Sequence, residues 1–159
     1  MNKTVGILAL QGDYSKHAEA VRTLSHKFKL VKNAEDLKGC DSLIIPGGES
    51  TTFMNLIDKL ELRKSLKAFG KEKPVMGTCA GLIILADKAN IKDFEPLKLI
   101  DIEVERNAYG RQINSFIDHI ELKINGGPSD FEGVFIRAPK IVSIRKDVHP
   151  LAYHKNVVV

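Results

Sequence analysis

Along the first ninety residues, short unbroken apolar runs alternate with stretches in which apolar residues recur every three or four positions. "TVGILAL" (4–10) is a run of aliphatic and β-branched residues stopped by Gln11-Gly12, the pattern of a strand covered on both faces. Tyr14, Ala18, Val21, Leu24 and Phe28 follow at helical spacing and predict one amphipathic helix. "DSLIIPGG" (41–48) repeats the strand signal and ends on Pro46 and two glycines, after which Phe53, Leu56, Ile57 and Leu60 mark a second helix. "KPVMGT" and "AGLIILADKA" supply a third strand and a third helix. Strand and helix alternating in this order imply a parallel sheet covered by helices.

From about residue 98 the pattern changes. "LKLIDIEVERN", "DHIELKI", "GVFIRAP" and "KIVSIRKD" are extended segments separated by Gly, Pro, Asn and Asp, which predicts an antiparallel or mixed β region. "YHKNVVV" (153–159) leaves no residues for a covering helix and reads as the middle of a strand or hairpin.

With 159 residues and 17.6 kDa, the chain is expected to form a single domain over residues 1–159 with its own core. The net charge of +4 is dispersed: Lys and Arg have acidic neighbours, and aromatic residues do not interleave with basic ones. Nucleic-acid binding therefore gains no support. Two distant cysteines, no charged-then-apolar leader and no run of about 18 apolar residues point to a cytoplasmic protein with reduced thiols and no membrane contact. No clustered His, Cys or carboxylate set suggests a metal, and no cofactor is expected.

The chemistry concentrates in two Gly-rich turns. Gly77-Thr78-Cys79-Ala80-Gly81 has the spacing of a nucleophile elbow with sulfur in place of oxygen, the glycines allowing a tight turn and an open approach. A sulfur at the start of the helix opened by Ala80 would lie near unpaired N–H groups that favour a thiolate. Cys40 has no such frame and reads as a buried structural residue. "PGGESTT" (46–52) lies between a strand and a helix, where backbone N–H groups can hold an oxyanion. Read alone, it is an ordinary strand-to-helix loop with Ser50 or Thr51 as N-cap. It lacks the Lys-Ser/Thr ending of a phosphate loop. A thiol nucleophile needs a base, and the five histidines offer none by spacing. His17 and His26 are expected on the solvated face of the first helix, His119 on an exposed strand, and His149 and His154 in a polar turn.

Strand, Gly-Gly-Glu-Ser loop and Gly-x-Cys-x-Gly elbow together resemble the class I, triad-type glutamine amidotransferases. "LALQGDYSKH", "IIPGGESTTFMNLI", "GTCAGLIILA", "VERNAYGRQINSF" and "VFIRAP" are similar, more narrowly, to the glutaminase-subunit family of pyridoxal 5'-phosphate synthase, from residue 4 onward. The resemblance implies a flavodoxin-like three-layer α/β sandwich with a central, mostly parallel sheet. It implies hydrolysis of L-glutamine to glutamate and ammonia, the ammonia passing to a (β/α)8-barrel synthase subunit. By position, Cys79 would be the nucleophile forming a glutamyl thioester, and the N–H groups of Gly48 and Ala80 the oxyanion hole. Gly48, Glu49, Ser50, Arg106, Ile136 and Arg137 would hold the substrate, with Arg106 suited to its carboxylate. Gln11 would lie near the face that meets the synthase and help to set the oxyanion loop.

The family's base is a histidine in a His-x-Glu sequence on a strand near its C-terminus, followed by a final helix. No His-Pro-Glu occurs in these 159 residues, the His-x-Glu triplets at 17–19 and 119–121 lie well before the C-terminus, and "HPL" at 149–151 matches a segment upstream of the family's dyad. Two explanations remain: a glutaminase shortened by its last strand and helix, or a natural protein that keeps the binding surface without catalysis. In either case the 159-residue form is expected to be nearly inactive. A third reading, from another class, is a cysteine-elbow protein of the DJ-1/PfpI type.

Overall fold

A computed structural model describes residues 3–106, 116–124, 127–135 and 138–159. Four parallel strands form the first sheet: β1 (Thr4–Leu8), β2 (Lys27–Val31), β3 (Ser42–Ile45) and β4 (Val75–Gly77), in the order β2-β1-β3-β4. Gly6 lies opposite Lys29 on one side and Leu43 on the other, and Ile45 lies opposite Gly77. Parallel neighbours need crossovers, and the helices α1 (Tyr14–Thr23), α2 (Ser50–Lys59) and α3 (Arg63–Glu72) occupy them. The loops that leave β1, β3 and β4 consequently emerge at one edge of the sheet, the usual place for chemistry in such folds.

Leu8, Leu43 and Ile45 of the sheet meet Phe53 and Ile57 of α2 and Leu66 of α3 in the main core. Phe53 and Ile57 are fully buried, and burial of side chains of this size stabilises by about 1.5–3 kcal/mol each. Arg63 bolts this layer together, bonding the Asp58 carboxylate through Nε (2.7 Å) and Nη2 (2.8 Å) and the Glu95 carbonyl through Nη1 (2.8 Å).

Three elements differ from the sequence pattern. The first helix ends at Thr23, because Ser25 adopts a left-handed φ of 57°. Phe28 thus belongs to β2, where "KFKLV" alternates with period two along an edge strand whose lysines discourage pairing. The third helix, α4 (Ala80–Leu85), is six residues long rather than running to Ala89. Its last carbonyls are claimed from outside: the N–H groups of Leu97, Lys98 and Leu99 bond to Ile84, Ala86 and Leu85. The chain then continues extended as β5 (Ala86–Ala89). Finally, α3 carries Leu66 and Phe69 on its buried face, a helix the apolar spacing did not announce.

β5 pairs in parallel with β6 (Ile100–Glu105), which pairs antiparallel with β9 (Lys140–Ile144). β7 (Phe116–Ile124) and β8 (Gly127–Phe135) form a hairpin extended by β10 (Ala152–His154) and β11 (Val157–Val158) into an antiparallel sheet. The parallel half and the mixed C-terminal half both match the expected architecture. No helix among the described residues is long and apolar enough to cross a membrane.

Candidate active site

β4 ends at Gly77, and the chain reverses into α4 through Thr78 and Cys79. Main-chain bonds fix the reversal: Thr78 N–H to the Ile45 carbonyl (3.1 Å), Gly81 N–H to the Thr78 carbonyl (2.9 Å) and Ile83 N–H to the Cys79 carbonyl (3.3 Å). Cys79 sits at φ 50°, ψ −105°, a conformation that costs an L residue about 1–3 kcal/mol and persists only where the surroundings impose it. The flanking glycines are required by space. A Cβ on Gly77 would stand 2.5 Å from the carbonyl carbon of Gly81, and one on Gly81 would overlap the Ile45 carbonyl oxygen. Cys79 is exposed and free, as a nucleophile needs. Cys40 is buried beside the Asp36 carbonyl (3.4 Å), and burial pushes its thiol up, in keeping with a structural role.

The second loop lies against the first. A Cβ placed on Gly47 would be 3.4 Å from the Cys79 Cβ, an ordinary contact distance, so the Pro46–Glu49 loop lies beside the elbow. Gln11 donates from Nε2 to the Glu49 carbonyl (2.9 Å), its amide lying over Gly48, and Asp13 N–H points at the Gly47 carbonyl (3.4 Å). The N-cap of α2 is Glu49 rather than Ser50 or Thr51: its carboxylate accepts from Thr51 N–H (3.2 Å) and Thr52 N–H (2.6 Å). Burial works against its ionisation, yet those N–H groups and Arg106 hold the carboxyl below the usual range. Ser50 is buried, and its hydroxyl has no hydrogen-bond partner among the described residues.

Arg106 reaches the same corner from the end of β6. Its Nη2 is 3.0 Å from Glu49 Oε1, its Nη1 is 3.3 Å from Thr51 Oγ1, and its main-chain N–H donates to Asn90 Oδ1 (2.7 Å). Gly48, Glu49, Ser50, Cys79, Ala80, Arg106 and Gln11 thus belong to one edge of the molecule. Ile136 and Arg137 lie outside the described residues. The preceding pair, Val134 and Phe135, joins Cys79, Leu82 and Pro139 around an open pocket of about 380 Å³.

Three histidines differ from expectation. His17 is half-buried, its Nε2 3.3 Å from the Thr78 hydroxyl, rather than on a solvated face. His154 is buried on β10 rather than in a polar turn, its Nε2 2.9 Å from Asp118 Oδ2. Its ring stacks at a tilt on Phe135, 4.8 Å between centroids. His26 is exposed beyond the helix rather than on it, and His119 and His149 are exposed. Sequence spacing could not reveal either contact, because the partners lie 61 and 36 residues away.

The model of the SNO glutamine amidotransferase family matches residues 7–159. The chain belongs to this family. Among curated proteins, the amidotransferase is 45% identical over 156 residues to "Pyridoxal 5'-phosphate synthase subunit PdxT" of Francisella tularensis subsp. tularensis (strain WY96-3418), a match covering 98% of this chain and 82% of that protein. The protein of the same name from Francisella tularensis subsp. novicida (strain U112) is 44% identical over the same shares of the two chains. Among solved structures, one titled "Crystal structure of glutamine amidotransferase" superposes with a TM-score of 0.89 at 38% identity, covering 98% and 82% of the two chains. The amidotransferase has the flavodoxin-like architecture that the family resemblance implies.

Proposed function

We propose that this amidotransferase is the glutaminase subunit of a pyridoxal 5'-phosphate synthase, one domain over residues 1–159 acting in the cytoplasm beside a (β/α)8-barrel partner. The observation that carries the reading is the closeness of Gly47 to Cys79, which sets an oxyanion loop beside an exposed thiol in an elbow. The 45% identity to a protein named as a synthase subunit supports the choice of substrate and partner.

Cys79 Sγ attacks the carboxamide carbon of L-glutamine, and the developing oxyanion takes hydrogen bonds from the N–H groups of Gly48 and Ala80. The carbon–nitrogen bond breaks, nitrogen gains a proton and leaves as ammonia, and a glutamyl thioester remains. Water then adds to the thioester, releasing glutamate and restoring the thiol. Glu49 and Arg106, opposite charges 3.0 Å apart, complement the ammonium and carboxylate of a free amino acid, and the Ser50 hydroxyl is left to bond a ligand. Ile136 and Arg137 would complete the grip, and Gln11 would carry partner docking to the oxyanion loop. Proton transfer needs a base and acid, and the family's His-Pro-Glu does not occur among the 159 residues, the two His-x-Glu triplets at 17–19 and 119–121 lying on α1 and β7 rather than on a last strand followed by a helix. A polypeptide of these residues alone is therefore expected to turn over glutamine very slowly.

The test is ammonia release by the full gene product mixed with its synthase. Cys79→Ala should abolish release while the two proteins still co-elute. Undiminished release, or loss of the complex, would overturn the reading.

A further inference from the structure

Three bonds run from the segment after β1 into the two catalytic loops. Gln11 and Asp13 hold the oxyanion loop, through the carbonyls of Glu49 and Gly47. The third, His17 Nε2 to Thr78 Oγ1 at 3.3 Å, reaches the elbow. Apart from it, the bonds that fix the reversal at residues 78–83 are all main-chain to main-chain among the described residues. Cys79 stands next in sequence to Thr78, in a conformation that its neighbours must enforce. A β-branched side chain has few χ1 states, so a bond to the Thr78 hydroxyl selects one and resists rotation of the peptide that joins Thr78 to Cys79.

Resting on the reading of Cys79 as the nucleophile, we propose that His17 is a positioning residue: through the Thr78 hydroxyl it holds the elbow so that the sulfur faces the amide carbon. His17 does not touch the reacting atoms and serves as neither acid nor base. Its place on the first turn of α1 makes the helix that follows Gln11 a brace for the nucleophile as well as for the oxyanion loop.

The deciding experiment is the rate at which iodoacetamide alkylates Cys79, followed by peptide mass so that Cys40 is not counted. Alkylation needs neither glutamine nor the synthase, so absence of turnover in the unmodified complex would defeat the glutaminase reading and leave this test intact. A sulfur released to turn spends less time presented. His17→Ala and Thr78→Val should each slow alkylation about threefold to tenfold, the scale of one lost hydrogen bond. The double variant should be no slower than either, which a merely structural contribution from two separate residues would not produce. His17→Gln, which keeps a donor and an acceptor, and Thr78→Ser, which keeps the hydroxyl, should restore most of the rate. In the complete complex His17→Ala should lower kcat and leave KM for glutamine unchanged. Additive losses in the double variant, or an unaltered rate in folded His17→Ala, would overturn the proposal. If His17→Ala does not fold, equal rates for Thr78→Ser and Thr78→Val would do so.

Discussion

The tolerance of Cys79 for its unusual backbone depends on the absence of atoms at two neighbouring positions. Gly81 packs its α-carbon against the Ile45 carbonyl that also accepts the Thr78 N–H, so a methyl group there must push α4 away from the end of β3 where Cys79 is set. Gly81→Ala is expected to destabilise the protein by about 1–3 kcal/mol, as overpacking does, and to suppress Cys79 alkylation. Urea unfolding followed by circular dichroism, with thiol labelling alongside, checks both. Cys79 can be named before any coordinates from the Gly-x-Cys-x-Gly frame around it, and Gly48, Glu49 and Arg106 from the resemblance that the flanking motifs carry. His17 cannot, since its partner follows another strand; position 17 reads as surface until the elbow is folded beneath it. The cap of α2 falls one residue earlier than its pattern suggests for a related reason: Ser50 looks like the better cap, yet Glu49 has both an extended backbone and a carboxylate able to take two N–H groups.

Among the elements, the antiparallel sheet of β7, β8, β10 and β11 depends most visibly on a charge cluster. Asp118 on β7 faces His154 Nε2 (2.9 Å) and Lys155 Nζ (2.8 Å) and accepts the His119 N–H (2.9 Å). The bonds from Lys155, His154 and His119 hold its carboxyl far below the ordinary value of 3.8. With the folded value depressed, the stabilisation is fully present above 3.8 and is lost as pH falls from there toward the folded value. Asp118→Asn should therefore lower the melting temperature at pH 7, with the gap to the parent narrowing as pH drops below 3.8; a gap constant from pH 7 to pH 2 would refute the assignment. The same sheet shows what a pattern can and cannot announce. Its strands are legible from alternating residues between turn formers, but His154 is hidden because a two-residue turn at Lys155 and Asn156, both at positive φ, lets a histidine that looks loop-bound finish a strand. β2 is masked by coincidence, Phe28 falling four residues after Leu24 beyond a helix that has already ended. The short length of α4 is invisible because an apolar run does not say which neighbour will claim its carbonyls.

For the molecule as a whole, the two thiols occupy opposite conditions. Cys79 is exposed at the rim of the parallel sheet, whereas Cys40 is 1% exposed in the main core, with Lys73 Nζ donating to its carbonyl (2.6 Å). A reagent such as 5,5'-dithiobis(2-nitrobenzoate) should titrate one thiol per folded molecule and two after denaturation. The slow appearance of the second would time the opening of the core itself. The protein thus carries an internal clock, in which one sulfur counts molecules and the other counts unfolding events.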